Sequence, residues 1–118
     1  MREDLLHYIW KMKYFDWSDL RSTEGQLVEI LDFGQHNHDA GPDFLQGKVK
    51  IDQTIWAGQI EIHIKSSHWY QHNHQSDANY DNVILHVVYE DDRPVIDKHG
   101  SPIPTIELAD RIDSSLLD

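Results

Sequence analysis

The run Gly58-Gln-Ile-Glu-Ile-His-Ile-Lys65 constrains this chain more than any other stretch. Successive side chains of a strand point to opposite faces, so the run predicts a strand with Ile60, Ile62 and Ile64 turned into a core. Glu61, His63 and Lys65 then line up on the other side. One carboxylate, one imidazole and one ammonium share a single face. Pro42-Asp43 lies upstream, at the head of a second predicted strand over residues 44–51, and Asp52-Gln53 reads as a tight turn. Residues 44–51 and 55–65 are therefore expected to pair as an antiparallel hairpin that carries Asp43 towards Glu61.

The rest of the chain can be read in the same terms. Leu5, Leu6, Ile9, Trp10 and Met12 recur close to helical spacing, with Glu3 and Asp4 before them and Lys11 and Lys13 after. This predicts an amphipathic helix over residues 3–15, charged as its dipole prefers. Residues 27–31 read as a strand, followed by a loop rich in glycine, asparagine and aspartate. Residues 66–81 are polar and aromatic, with room for one or two helical turns. Residues 82–89 are almost wholly apolar and β-branched, the pattern of a strand buried on both faces, with His86 expected on the same face as Ile84 and Val88. Residues 95–97 and 103–108 suggest a terminal hairpin, held at a sheet edge by Pro102 and Pro104. The expected class is α+β, an N-terminal helix on a central mixed or antiparallel sheet, in one domain spanning residues 1–118.

Composition narrows the partners. The chain has 118 residues and a net charge of −11, but residues 41–65 carry three Lys/Arg against three Asp/Glu, a neutral segment inside an acidic chain. Phosphate neutralisation by Lys and Arg supplies most non-specific affinity for nucleic acid, so this chain alone is expected to bind it weakly. Cysteine is absent, which excludes disulfides and thiolate metal sites. No run approaches the roughly 20 apolar residues that span a bilayer, so no membrane partner is expected and the cytoplasm is the default location.

Asp43 and Glu61 are hard oxygen donors that suit Mg²⁺ or Mn²⁺, and a divalent ion held there would polarise a phosphoryl oxygen and acidify its water. His63 is placed to ligate as well, and His72, His74 and His86 are positioned to converge near it. Convergence of two or more imidazoles would favour another transition metal over magnesium. Glu61, His63 and Lys65 are the candidate catalytic group; Asp43, Glu61, His63 and His86 are the candidate ligands. Each has a structural account beside this one. Pro-Asp is a common turn dipeptide, the Glu61 face can be a solvated surface paired with Lys48 or Lys50, and His86 can be a hydrogen-bonded core residue. His36-Asn-His38 and His72-Asn-His74 are short enough to arise by chance in a chain with nine histidines. Trp56, Trp69, Tyr70 and Tyr80 could stack nucleobases, but without interleaved arginine they are expected in cores, and Trp10, Tyr14, Phe15 and Trp17 are expected to anchor the first helix to the sheet or to a carboxy-terminal domain beyond this chain.

The element order, with Pro42-Asp43 on one strand and an acidic residue on the next, resembles the core of the PD-(D/E)XK nucleases. That resemblance implies Asp43 and Glu61 as ligands, the Ile62 carbonyl as a third, and a metal-dependent phosphodiester hydrolase. The chain departs from the pattern where His63 stands in the place of the motif lysine, with Lys65 two residues further on. Gly41-Pro-Asp-Phe44, Ser66-Ser-His-Trp69, His72-x-His74 and the run from Tyr80 to Val88 resemble an uncharacterised bacterial family, the DUF2851 proteins. Its members are longer chains, which implies that this one is an amino-terminal part with a carboxy-terminal region as natural partner. Three classes follow: a metal-dependent nuclease-like hydrolase, a catalytically degenerate binding module of the same fold, and an oligomerisation module with incidental histidines.

Overall fold

The computed structural model describes residues 1–117, and its centre is a mixed six-stranded sheet. The elements run α1 (Glu3–Met12), β1 (Val28–Asp32), β2 (Gln35–His36), β3 (Phe44–Ile51), β4 (Thr54–Lys65), α2 (His68–Gln71), β5 (Val83–Glu90) and β6 (Thr105–Glu107). Short 3₁₀ turns occupy His74–Ser76, Ala78–Tyr80, Ala109–Arg111 and Ser114–Leu116. Strand order is β1-β3-β4-β5-β6, with β2 also on β3. The β1, β3 and β4 neighbours are antiparallel, whereas β4, β5 and β6 are parallel. The class is α+β, as the sequence implies.

α1 stops at Met12 rather than residue 15, because Lys13 takes a left-handed conformation and turns the chain back. Leu6, Ile9 and Trp10 bury completely against Ile60, Ile62, Leu85, Val87 and Ile106. The Trp10 indole N–H donates to the Phe33 carbonyl at 2.9 Å, which fixes the helix on the sheet. Phe15 joins this core, while Tyr14 and Trp17 stay exposed, so only part of the expected aromatic anchor is used. A second cluster of Trp69, Val83, Val95 and Ile103 lies apart from it, with Tyr70 and Tyr80 packed alongside. Trp56 belongs to neither and is half exposed, contrary to the core position expected of it.

Two bulges decide which side chains face which layer. From the turn at Ile51 and Thr54, β3 and β4 pair without a break as far as Gly47 opposite Gly58. Continued unchanged, that register would set Asp43 across from Ile62. An extra residue enters β3 before Phe44, Gln46 takes a positive φ of 60°, and Phe44 pairs with Ile60 instead. One step beyond the end of β3, that register sets Asp43 opposite Glu61. Directly opposed residues of an antiparallel pair share a face, so the bulge moves Asp43 to the polar side.

The second bulge lies in β5, where Val83 pairs with Gln59 and Leu85 with Ile60. Ile84 is the extra residue. It joins Leu85 and Val87 in the main core, whereas His86, in register with Glu61, faces the other way. The expected alternation of Ile84, His86 and Val88 therefore fails at Ile84. Gly58 marks the same junction, since a Cβ there would meet the Asn82 carbonyl oxygen at 2.6 Å and Ile84 Cγ2 at 2.7 Å.

At the far edge the chain does reverse between residues 95 and 103, with Ile103 N–H donating to the Val95 carbonyl at 2.9 Å. The return limb does not stay in a terminal hairpin. It continues into β6 and pairs parallel to β5, which is why β5 is covered on both sides.

Candidate metal centre

The Asp43 and Glu61 carboxyls meet through the backbone. The Asp43 N–H donates to Glu61 Oε1 at 3.1 Å, and the Ile62 N–H donates to Asp43 Oδ2 at 2.7 Å. Each carboxyl is thus held by an amide of the other's strand, which leaves Glu61 Oε2 free to face the crossover. Burial, and then the charge of Asp43, push the Glu61 carboxyl far above the ordinary carboxylate range. Burial acts on Asp43 in the same sense. It is outweighed by His7 and by hydrogen bonds from Glu61 and the Ile62 amide, which hold Asp43 below that range. Without a bound cation, one of the two carries the proton, and that one is Glu61.

Glu61 Oε2 lies 3.3 Å from His63 Nε2 and 2.7 Å from His74 Nε2. The His74 approach is off the hydrogen-bonding direction of its ring, and His74 Nε2 is a buried nitrogen without a hydrogen-bond partner. His63, His72 and His74 each offer a nitrogen within 4.8 Å of the others. Two ligand atoms about 2.1 Å from one ion at the tetrahedral angle are about 3.4 Å apart. These are spacings an ion can bridge.

The other nitrogen of His63 is committed. His63 Nδ1 and His86 Nε2 share a hydrogen bond of 2.7 Å, inside the layer between sheet and crossover. With the proton on His63 Nδ1, Nε2 is the nitrogen with the free lone pair, 3.3 Å from Glu61 Oε2, so His86 sets tautomer and ring plane as an outer partner of a ligand does. His86 is therefore spent on His63 rather than presented to the cluster, and its own Nδ1 is buried and unpartnered.

Burial, and then the facing His86, His74, His72 and His68 rings, drive His63 far below the usual imidazole range. His74 is lowered to about 4 and His86 to about 3, in both cases by burial first. Neutral imidazoles are the ligating form.

His72 and His74 arrive from the crossover. His72 closes α2, Asn73 follows in a left-handed conformation with φ 57°, and His74 opens the next turn. Tyr80 stacks on His74 with ring centroids 3.7 Å apart, and Trp69 meets it edge-on at 5.2 Å. His72 is exposed and marks the open side.

The structure thus brings together Asp43, Glu61 and His63, sets His86 behind His63, and leaves Lys65 exposed at the end of β4, opposite Glu90. Lys48 and Lys50 pair with Ala57 and Ile55, so neither neutralises Glu61. His36 stacks on Phe44 at 4.8 Å, away from His63. Sequence reasoning weighs His72 and His74 against chance and passes over Glu3 and His7. These last stand one helical turn apart, and their ligand atoms group with that of Asp43. A carboxylate and an imidazole at i and i+4 are the signal for that group.

The donor set of three imidazoles and a carboxylate fits Mn²⁺, Fe²⁺ or Zn²⁺ better than Mg²⁺, which prefers oxygen and water. Among the described residues, no helix is long and apolar enough to cross a membrane. The model of one family, described as a protein of unknown function (DUF2851), matches residues 3–118. No curated protein and no solved structure matches the chain.

Proposed function

The chain belongs to the DUF2851 family, which brings no assigned activity with it, and from its own residues we propose a transition-metal-dependent hydrolase centre acting on a phosphodiester. One observation carries the reading: Glu61 Oε2, His63 and His74 converge from two separate elements, with His74 Nε2 buried and otherwise unpartnered. A divalent ion held there would supply Lewis-acid polarisation of a phosphoryl oxygen and a water of lowered pKa.

The chain's own residues do the rest. Glu61 gives up its proton when it becomes a ligand. The Asp43 amide keeps Glu61 Oε1 in place, so Oε2 needs no reorientation. His86 holds His63 in the ligating tautomer. His72, on the exposed side, is the ligand nearest to arriving substrate. The phosphodiester class rests on the resemblance of the Pro42-Asp43 and Glu61 strands to the PD-(D/E)XK core.

The test is calorimetric titration of the chain with Mn²⁺ and Zn²⁺, followed by hydrolysis of bis(p-nitrophenyl) phosphate. Binding that weakens about a hundredfold in both Glu61→Gln and His74→Ala, with turnover lost in parallel, supports the reading. Binding indifferent to both substitutions overturns it. The exposed position of Lys65 favours a second reading, a metal-binding module of the same fold that has lost catalysis. Tight, Glu61-dependent binding with no turnover on phosphodiesters would select it.

A further inference from the structure

We propose that Glu3, His7 and Asp43 form a second divalent-cation position beside the first, so that the centre takes a pair of ions. The inference deepens the metal-centre reading above and rests on it for the inner ion only.

α1 sets Glu3 and His7 four residues apart, hence on one helical face, and the Gln46 bulge carries Asp43 to meet them. His7 Nε2 stands 3.6 Å from Glu3 Oε1 and 3.4 Å from Asp43 Oδ2. The three ligand atoms all lie within 4.8 Å of one another. His7 Nε2 is also a buried nitrogen that makes no hydrogen bond, so neither carboxylate holds it in hydrogen-bond geometry. The separations are again close to the roughly 3.4 Å edge of a tetrahedron of ligands around one ion.

Against the effect of burial, Asp43 and Glu3 raise His7 to about 9, so a cation here takes the place of its proton, and two carboxylates and one neutral imidazole then form a mixed donor set suited to Mn²⁺, Fe²⁺ or Zn²⁺. The position adjoins the inner one directly, because the residue that supplies Asp43 Oδ2 here also donates its N–H to Glu61 Oε1 there. Paired ions suit a substrate whose attacked centre carries several anionic oxygens, since each ion can take one of them. A phosphoester is such a substrate, in keeping with the class proposed above.

Equilibrium dialysis of the full chain against Mn²⁺, with metal counted by mass spectrometry and read by electron paramagnetic resonance, tests this without recourse to turnover. Two ions per chain are expected, with the broadened spectrum of a coupled pair. Glu3→Gln and His7→Gln should each weaken one of the two by tenfold or more, leaving one uncoupled ion. Glu3 is partly exposed, so its variant should fold even if that of His7 does not. A single ion that survives both substitutions overturns the proposal, and His7 is then simply the cation between two carboxylates. A single ion lost in Glu3→Gln but kept in His74→Ala upholds the outer position and removes the inner reading instead.

Discussion

The two faces of β4 differ in how they are buried. On one, Ile60 and Ile62 pack without exposure against Leu6, Ile9 and Trp10 of α1, and dispersion and water exclusion are sufficient to hold them. On the other, Glu61 and His63 are nearly as hidden from solvent, but Trp69 and His74 of the crossover above them and His86 of β5 each leave a ring nitrogen without a partner. A buried polar atom without a partner costs about 1–3 kcal/mol. The difference teaches that the apolar face stabilises the fold on its own terms, whereas the polar face carries a cost that a bound cation would offset.

Inserting one residue between Phe44 and Leu45 should break the comparison most severely. With the bulge kept, the added residue takes the place opposite Ile60, so Phe44 turns from the core to the polar face and Asp43 turns away from Glu61, a loss on the order of 4 kcal/mol by urea unfolding, with metal binding gone. The substitution Gln46→Gly, which keeps the chain length and the bulge and suits a positive φ, should retain both.

Acid should separate the faces next. His63, His74 and His86 stay neutral in the folded chain while the unfolded chain protonates them below about pH 6.5, so folding loses stability as pH falls through that value. Glu61 acts oppositely, because its raised folded pKa means that the native state already holds a proton at pH 4.5–6.5 that the unfolded state lacks. Three protons against one leave about two net, a slope of about 2.7 kcal/mol per pH unit. Thermal unfolding at pH 6.5, 5.5 and 4.5 measures it, and a flat profile would contradict the buried neutral cluster.

Ile62→Ala should cost about 3 kcal/mol in chemical unfolding while leaving the metal affinity of the folded fraction intact. His86→Ala should cost stability as well, but unlike Ile62→Ala it should also weaken metal binding about 10- to 100-fold by calorimetry through loss of the His63 tautomer. Lys65→Ala should change neither quantity by more than about 0.5 kcal/mol, because the side chain is exposed and outside the cluster.

Much of the scaffold was legible because strand periodicity is local. The β3–β4 hairpin, the buried β5 and the shared face of Glu61 and His63 all follow from it. The proximity of Asp43 and Glu61 was legible too, but not its cause. Simple register from the turn places Asp43 opposite Ile62, and only the bulge at Gln46 corrects it. The strand at residues 103–108 was legible but its partner was not, because parallel pairing is a long-range choice that leaves no trace in a three-residue strand. His72 and His74 were indistinguishable from chance, since their meeting with His63 depends on how the crossover folds over the sheet. His86 looked like a ligand because its strand and face were right, and only the distance to His63 Nδ1 shows which atom it serves.

The backbone at Asn73 has one more consequence. In a continuous helix, side chains two positions apart diverge by more than half a turn, so α2 prolonged through residue 74 would offer the sheet one imidazole and give the other to water. The left-handed residue folds the chain back and leaves the His72 and His74 rings 5.4 Å apart. The number of imidazoles that the crossover turns towards Glu61 is therefore written in a single torsion, the left-handed φ of Asn73.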